Sequence, residues 1–591
     1  MKKAIITAIV ISALLISLVF GMQVVGANSK TITVPDDYQS IQAAIDNALE
    51  GDRVVVRSGT YNGSIWINKA ISLVGENSAR IIGDYRLNGT VILVTSDNVN
   101  ITGFTVEPSA SSPSRRGVHL LDANHCNIYN NTFINNKIGI WLYGSSENTI
   151  TGNSVFGSGD IFGEIDSYGA QLHDGSNHNS IENNIFENNH YGIYIYSSSN
   201  NNVKNNRVKN SFSTGITINA DENWLTDNVV EGNIVGLELH GSNNVLRNNQ
   251  LSNNTANFNI EWDYYEDTST FFNDVDASNT INGKPIIYWV NKQDEKVPED
   301  TPFLVLVNCT NITVENLKLS KNRQGIILVA TTNSTIRENS VEVLSDGILV
   351  YASFNNKITN NIVFDGGRGI HLFSSFQNTI TGNSINNRST AITLEASNEN
   401  IINSNIISGG NSGGIDLDGS NSNKIFNNTI SDCKRMALWF WNHASQNLFY
   451  LNNFINNTKN VEEYITEFQE FPKNIWDNGT IGNFWNNYNG TDNDGDGIGD
   501  TPYIIDENNQ DNYPLMTPAN ISTAPTPSPS TSPSPTLSPS PTPSTQQPTL
   551  MPSPTAYNIQ AEDYTPTLII YTSIAVVAAV VALVYFKKRK G

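Results

Sequence analysis

The chain has 591 residues, a formal net charge of −22 and three cysteines. The acid excess excludes the basic face that nucleic-acid binding requires. Cys126, Cys309 and Cys433 are too scattered for a disulfide framework or a zinc ribbon, so stability has to come from packing rather than from staples.

In chain order, residues 1–27 read as a secretory signal: MKK, an apolar run, then small residues ending at Ala27. Residues 28–125 hold an N-terminal cap and the first coils of the body. A short amphipathic helix is expected over 40–49, with Ile41, Ala44, Ile45 and Ala48 on one face and Gly51 as its stop. A solenoid exposes apolar core at its ends, and this helix is the expected cover.

From 126 to 261 a short unit repeats. The phrase N-x-apolar-x-x-N-x-apolar begins at Asn127, Asn148, Asn179, Asn202, Asn223 and Asn244. It is interrupted over 262–302 and returns over 303–490, from Asn311 through Asn356, Asn378, Asn400 and Asn423 to Asn447. Most steps are 21 to 24 residues, and NTITGNSV at 148–155 comes back as NTITGNSI at 378–385. Each unit carries a second phrase, such as GIWLYGSS, GIYIYSSS or GIDLDGSN, with apolar residues at alternate positions. Alternation means strands with one buried face, and the intervening Gly, Asn and Ser supply turns. Short strands with no helical period describe the coils of an all-β parallel β-helix. Coils stack at about 4.8 Å, so equivalent residues lie above one another and a recurrent inward Asn can bond along the stack as a ladder. About 20 such coils in one rod are expected.

Residues 491–516 close the body with an acidic loop, DNDGDGIGD. Asp492, Asp494, Asp496 and Asp500 stand at positions 1, 3, 5 and 9 of a calcium loop, with the Ile498 carbonyl at 7 and Gly497 at the turn. Position 12 is Tyr503 rather than Glu, and Asp506 or Glu507 is expected to complete the shell. Residues 517–566 are Pro/Ser/Thr-rich and read as an extended stalk. Residues 567–586 are long and apolar enough to span a bilayer as a C-terminal transmembrane helix. The basic tail 587–591 places that end inside and the body outside. Roughly a dozen N-x-S/T sequons, among them Asn62, Asn88, Asn130, Asn308, Asn427 and Asn456, are compatible with a glycosylated exterior.

The phrases DYQSIQAAIDNA, GDRVVVRSGTY and ISLVGEN resemble the first coil of the pectin-lyase-like right-handed β-helix superfamily. The Asn-rich coils resemble its NosD-like, or carbohydrate-binding and sugar hydrolase, branch. DVDASNTINGKPIIYWVN and NGTDNDGDGIGDTPYIIDENNQDNYPLM are similar to segments of NosD-like archaeal surface proteins. The resemblance covers about 35–515 and implies a right-handed coil and a cell-surface setting. It also implies copper handling, but the chain offers five Met, eight scattered His and no clustered soft ligands. Polygalacturonase-like phrases are absent.

In the second phrase the residues between the buried Ile and Leu face outward. In stacking order they are Trp141 and Tyr143, Gln171 and His173, Tyr194 and Tyr196, Thr217 and Asn219, Glu238 and His240, then Asn259 and Glu261. After the interruption come Ile327 and Val329, Leu349 and Tyr351, His371 and Phe373, Thr393 and Glu395, Asp416 and Asp418, Trp439 and Trp441, with no Lys or Arg among them. Aromatic rings, amides and carboxylates along one face suit a polysaccharide or cell-surface glycan, although exposed strand positions favour aromatics in any case. Asp416, Asp418 and Glu395 form a candidate catalytic cluster, at carboxylate separations of about 5–7 Å that match glycosidase pairs. Glu238, His240 and Glu261 form a second cluster. The expected function is a membrane-anchored extracellular glycan binder, with a glycoside hydrolase on the same face as the alternative and copper handling as a further one.

Overall fold

The computed structural model describes residues 29–521 except 85, 110–115, 158–166, 263–267 and 464–472. The signal segment 1–27, the transmembrane span, its basic tail and nearly all of the stalk lie outside the described residues. Among the described residues no helix is long and apolar enough to cross a membrane.

The body is built of short parallel strands, each paired with its counterpart one coil away. Ile150, for example, pairs with Ile128 below and Ile181 above. The inward Val, Ile, Leu and Phe residues of the stacked strands are buried, so each coil contributes a layer to the core. The asparagines do bond as ladders. In one column Asn131, Asn153, Asn184, Asn206, Asn228, Asn249 and Asn279 pass a side-chain hydrogen bond from Nδ2 to Oδ1 at 2.8–3.2 Å. A second column runs from Asn339 through Asn361, Asn383, Asn405, Asn428 and Asn452 to Asn483. Each rung also satisfies backbone that the turn leaves orphaned. Asn405 Oδ1 accepts the Asn383 N–H at 2.9 Å, and its Nδ2 donates to Ile380 O at 2.9 Å.

The stack has distinct ends. A short helix, Ile41–Asn47, is N-capped by Ser40 and packs on the first strands, with Ile41, Ala44 and Ile45 buried. At the other end two ladders finish on the closing segment. Asp511 accepts the Asn483 N–H at 2.7 Å and the Trp485 indole N–H at 2.9 Å, while Asn509 accepts the Asn474 N–H at 2.9 Å and the Trp476 indole N–H at 3.0 Å. Both tryptophans are buried over the last coils, stacked on Phe454 and Phe449.

The expected interruption divides the stack into two β-helices. Strands Asp274–Val275 and Thr280–Ile281 still extend the first β-helix, and Ile287–Val290 already opens the second, ahead of the 303 boundary. The outward residues Val305, Val307, Ile327, Val329, Leu349 and Tyr351 of the second β-helix belong to the core cluster of the first, with Phe258, Ile260 and Phe271. The second β-helix thus lays the outer face of its opening coils over the open end of the first. Gln324 fastens the seam by donating to Ile260 O at 2.8 Å, and Asn257 does so through its N–H to Lys321 O at 2.9 Å. Burial of an end that would otherwise expose apolar core explains why these outward positions are aliphatic.

Candidate functional site

On the first β-helix the expected outward residues stand in register. Trp141, Gln171, Tyr194, Thr217, Glu238 and Asn259 form one column on adjacent strands. Their rings, however, stack on one another. His119 lies 4.1 Å from Trp141 with planes 16° apart; Tyr143 and His173 are 5.9 Å and 8° apart, His173 and Tyr196 4.9 Å and 22°. Tyr194 packs against Tyr168 and Tyr191. The faces that a sugar ring would need are therefore largely taken by neighbours, and ring edges face solvent. Arg116 covers Trp141 with its guanidinium carbon 4.4 Å from the ring. Burial, with Arg116 beside it, pushes His119 down to about 3.

At the end of this face Asn259 Nδ2 bridges Glu238 at 2.9 Å and Glu261 at 2.8 Å, and Arg323 of the second β-helix approaches Glu238 at 3.8 Å. Burial and the Glu261 charge hold the Glu238 carboxyl above its usual range, against the Asn259 hydrogen bond. His240 acts on the Glu238 carboxyl through its charge and lines a polar cleft with Asn219, Asp221, Ser242 and Thr270.

The second β-helix places a different chemistry on its outer face. The glycine that opens each phrase turns inward: a Cβ on Gly347 would sit 2.5 Å from Val363 Cγ1 and from Gly369 O. The residue before that glycine consequently faces out, adding a third outward column that alternation alone does not reveal. Asp346 and Arg368 occupy it. Arg368 Nε is 2.8 Å from Asp346 Oδ1 and its Nη1 is 3.1 Å from Glu395 Oε1. His371 lies between the same carboxylates, Nδ1 3.4 Å from Asp346 and Nε2 3.3 Å from Glu395. Its side chain is 0% exposed and Asp346 3%. Trp262 from the first β-helix closes over it, 6.1 Å from the imidazole, 5.3 Å from Tyr351 and 5.4 Å from Phe373. His371 is thus sealed in the seam rather than facing solvent as expected. Leu349 and Tyr351 are likewise covered.

Beyond the seam the face opens. Glu395 pairs with Asp418 and Thr393 with Asp416 on adjacent strands; the next strand puts Trp439 beside Asp416 and Trp441 beside Asp418. Asp416 Oδ1 is buried without a hydrogen-bond partner. Burial, then the Glu395 and Asp418 charges, push Asp416 up to about 7. Asp418 is also raised, by burial and by Glu395, although Asn442 Nδ2 donates to it at 2.5 Å. Burial opposes ionisation of Asp346, but His371 and Arg368 outweigh it and hold the carboxyl down to about 2; the same carboxylates raise His371 against its own burial. Cations do flank this face: Arg368 in the ion cluster, and Arg435 stacked 4.8 Å over Trp439.

In the acidic loop the ligand atoms of Asp492, Asp494 and Asp496 lie within 4.8 Å of one another. Asp492 accepts the N–H groups of Gly495 and Gly497 at 2.7 and 2.9 Å, wrapping the chain around the carboxylates. Asp500 turns aside to Asn493 at 2.7 Å, and Asp506 binds Asn509 at 2.8 Å instead of completing the loop. The bridge to Leu515 uses Gly499 N–H and Gly497 O, so it does not draw on the Ile498 carbonyl.

Comparison with known proteins matches residues 291–490 to the family of periplasmic copper-binding proteins (NosD) and residues 89–256 to the right-handed β-helix region family. A cell surface glycoprotein of Methanothermus fervidus is 29% identical over 119 residues, 20% of this chain; the chain spans 19% of that protein's length. Solved structures include an alginate lyase from Paenibacillus sp. str. FPU-7, at 15% identity over 56% of this chain and 94% of that one, TM-score 0.28. Another is the catalytic domain of a GH87 α-1,3-glucanase, at 12% identity over 62% and 66%, TM-score 0.34; at such scores neither likeness carries an argument. With parallel coils and one of these families matched in each half, the chain is similar to NosD proteins over 291–490 and to right-handed β-helix proteins over 89–256, findings that fit a pectin-lyase-like β-helix protein.

Proposed function

We propose that the protein stands on the cell surface, tethered through 567–586, and binds a polysaccharide or surface glycan on the outer face of its second β-helix. The observation that carries this reading is the open group of Glu395, Asp416 and Asp418 with Trp439 and Trp441 on the neighbouring strand. Carboxylates for hydroxyls beside indole rings are the pairing a glycan site needs, although Trp441 lies 4.6 Å from Trp439 and Arg435 covers one side of Trp439. The test is retention of the purified protein on a panel of insoluble polysaccharides. Trp439→Ala and Trp441→Ala should each weaken binding at least tenfold while Tyr196→Ala on the first face leaves it intact; equal binding by all three rejects this placement.

Hydrolysis is the second reading, favoured by one observation: Asp416 at about 7 holds a proton near neutrality, as a general acid must. Asp418 or Glu395 would serve as its partner carboxylate. Reducing-sugar release that disappears in Asp416→Asn would establish it. Copper handling draws on the matched family alone. Among the described residues the group that converges to hold a metal ion is the all-oxygen set Asp492, Asp494 and Asp496, a hard donor set suited to calcium rather than copper. Calcium there would brace the end of the body where the stalk begins.

A further inference from the structure

The sequons have a structural origin. At such corners one residue adopts a left-handed conformation, the next turns inward, and the one after it leads on to the next strand. Where Asn, Asn and Thr fill these three places the coil itself writes N-N-T, as at Asn130, Asn253, Asn427 and Asn456. Their φ values are 53°, 55°, 56° and 53°, and Asn333, ahead of Ser334 and Thr335, has 53°. Left-handed backbone turns the first side chain outward and the second inward: Asn130, Asn253 and Asn333 are exposed, whereas Asn131, Asn254 and Ser334 are buried. Asn100 carries the same motif on a strand, and its amide is committed. Its Nδ2 donates to Ser72 Oγ at 3.2 Å and its Oδ1 accepts from Asn127 at 2.8 Å.

We infer that the exposed corner asparagines Asn130, Asn253, Asn333 and Asn456 are N-glycosylation acceptors and that Asn100 is not, nor Asn427, which is half-buried with its Nδ2 donating to Ser404 Oγ at 3.0 Å. The co-reactant is a polyprenyl-phosphate-linked oligosaccharide. The Nδ2 of the acceptor bonds to the anomeric carbon, the bond from that carbon to the phosphate oxygen breaks, the polyprenyl phosphate leaves with the electron pair, and the amide gives up one proton. No sequon falls on Gly413–Asp418 or Met436–Trp441, and the one on Ser384–Glu395, Asn387-Arg388-Ser389, stands eight residues before Glu395, so glycans at the corners leave the Asp416, Asp418 and tryptophan strands bare.

Glycopeptide mass spectrometry of the protein recovered from its own cells tests this. Peptides containing Asn130, Asn253, Asn333 and Asn456 should carry glycan mass, and the Asn100 peptide should not. Thr255 is exposed, so Thr255→Val should remove the addition from Asn253 alone while the coil is kept. Unmodified corners, or an occupied Asn100, overturn the inference. The readout is independent of polysaccharide binding, so failure of one leaves the other standing.

Discussion

The two β-helices share one coil and differ on one face. On the first, rings from Trp141 to Tyr196 stack on one another and Glu238 and Glu261 share Asn259; on the second, Asp346, Arg368, His371 and Glu395 are held in ion pairs beside Trp439, Trp441 and Asp416, whose Oδ1 is left without a partner. The inward columns are nearly interchangeable because stacking imposes the same demand on every layer. The outward columns are free of that demand. Differences between them therefore report on what each face does, and the unsatisfied, partly desolvated charge marks the second as the more probative place for function.

The largest effect should come from what the two halves share. Asn405→Leu removes one rung of the second ladder and orphans buried groups on both sides, costing on the order of 4 kcal/mol; Asn206→Leu should cost about as much in the first. Urea midpoints measure both, and a negligible loss in either would show that its ladder is ornamental. Trp262→Ala strikes the seam instead. It should cost about 2–3 kcal/mol and split one unfolding transition into two as the β-helices uncouple.

The pH dependence should have opposite signs at His119 and at Asp416. His119, lowered to about 3, binds fewer protons when folded, so its contribution to stability grows as pH rises from about 3 to 6.5. Asp416, raised to about 7, binds more protons when folded, so stability falls as pH rises from about 4 to 7. His371, also raised, adds stability below its unfolded value that is lost as pH climbs through its folded one. Asp346, held at about 2, loses its contribution as pH falls from about 4 to 2. His119→Gln should flatten the rise and Asp416→Asn the fall, by up to about 4 kcal/mol each across the window, read from denaturation at stepped pH. Millimolar calcium should then raise the unfolding midpoint by about 1–2 kcal/mol, and Asp494→Asn should abolish the gain. Smallest of all, Tyr196→Ala should cost less than about 1 kcal/mol, because Tyr196 sits exposed at the end of its stack.

Much of this was legible beforehand. The period, the ladder asparagines, the outward columns and the closing acidic loop follow from residue type at fixed spacing. The aliphatic run Ile327, Val329 and Leu349 carried a readable signal too, since a stripe facing water has no reason to be so apolar. Asp346 and Arg368 escaped because simple alternation assigns them the wrong face; the inward glycine shifts the phase by one residue. His371 was expected on an accessible surface because nothing local announces that Trp262, more than a hundred residues earlier, closes over it.

The sequence by itself determined the coil: short-range repetition fixes which residues turn, which stack inward and which bond along the axis, because each layer needs only its neighbours. Only the tertiary structure decided that the second β-helix covers the end of the first, and that a histidine, an arginine and two carboxylates meet in the seam. Those contacts join residues far apart in the chain, and their energy depends on burial that no local pattern encodes.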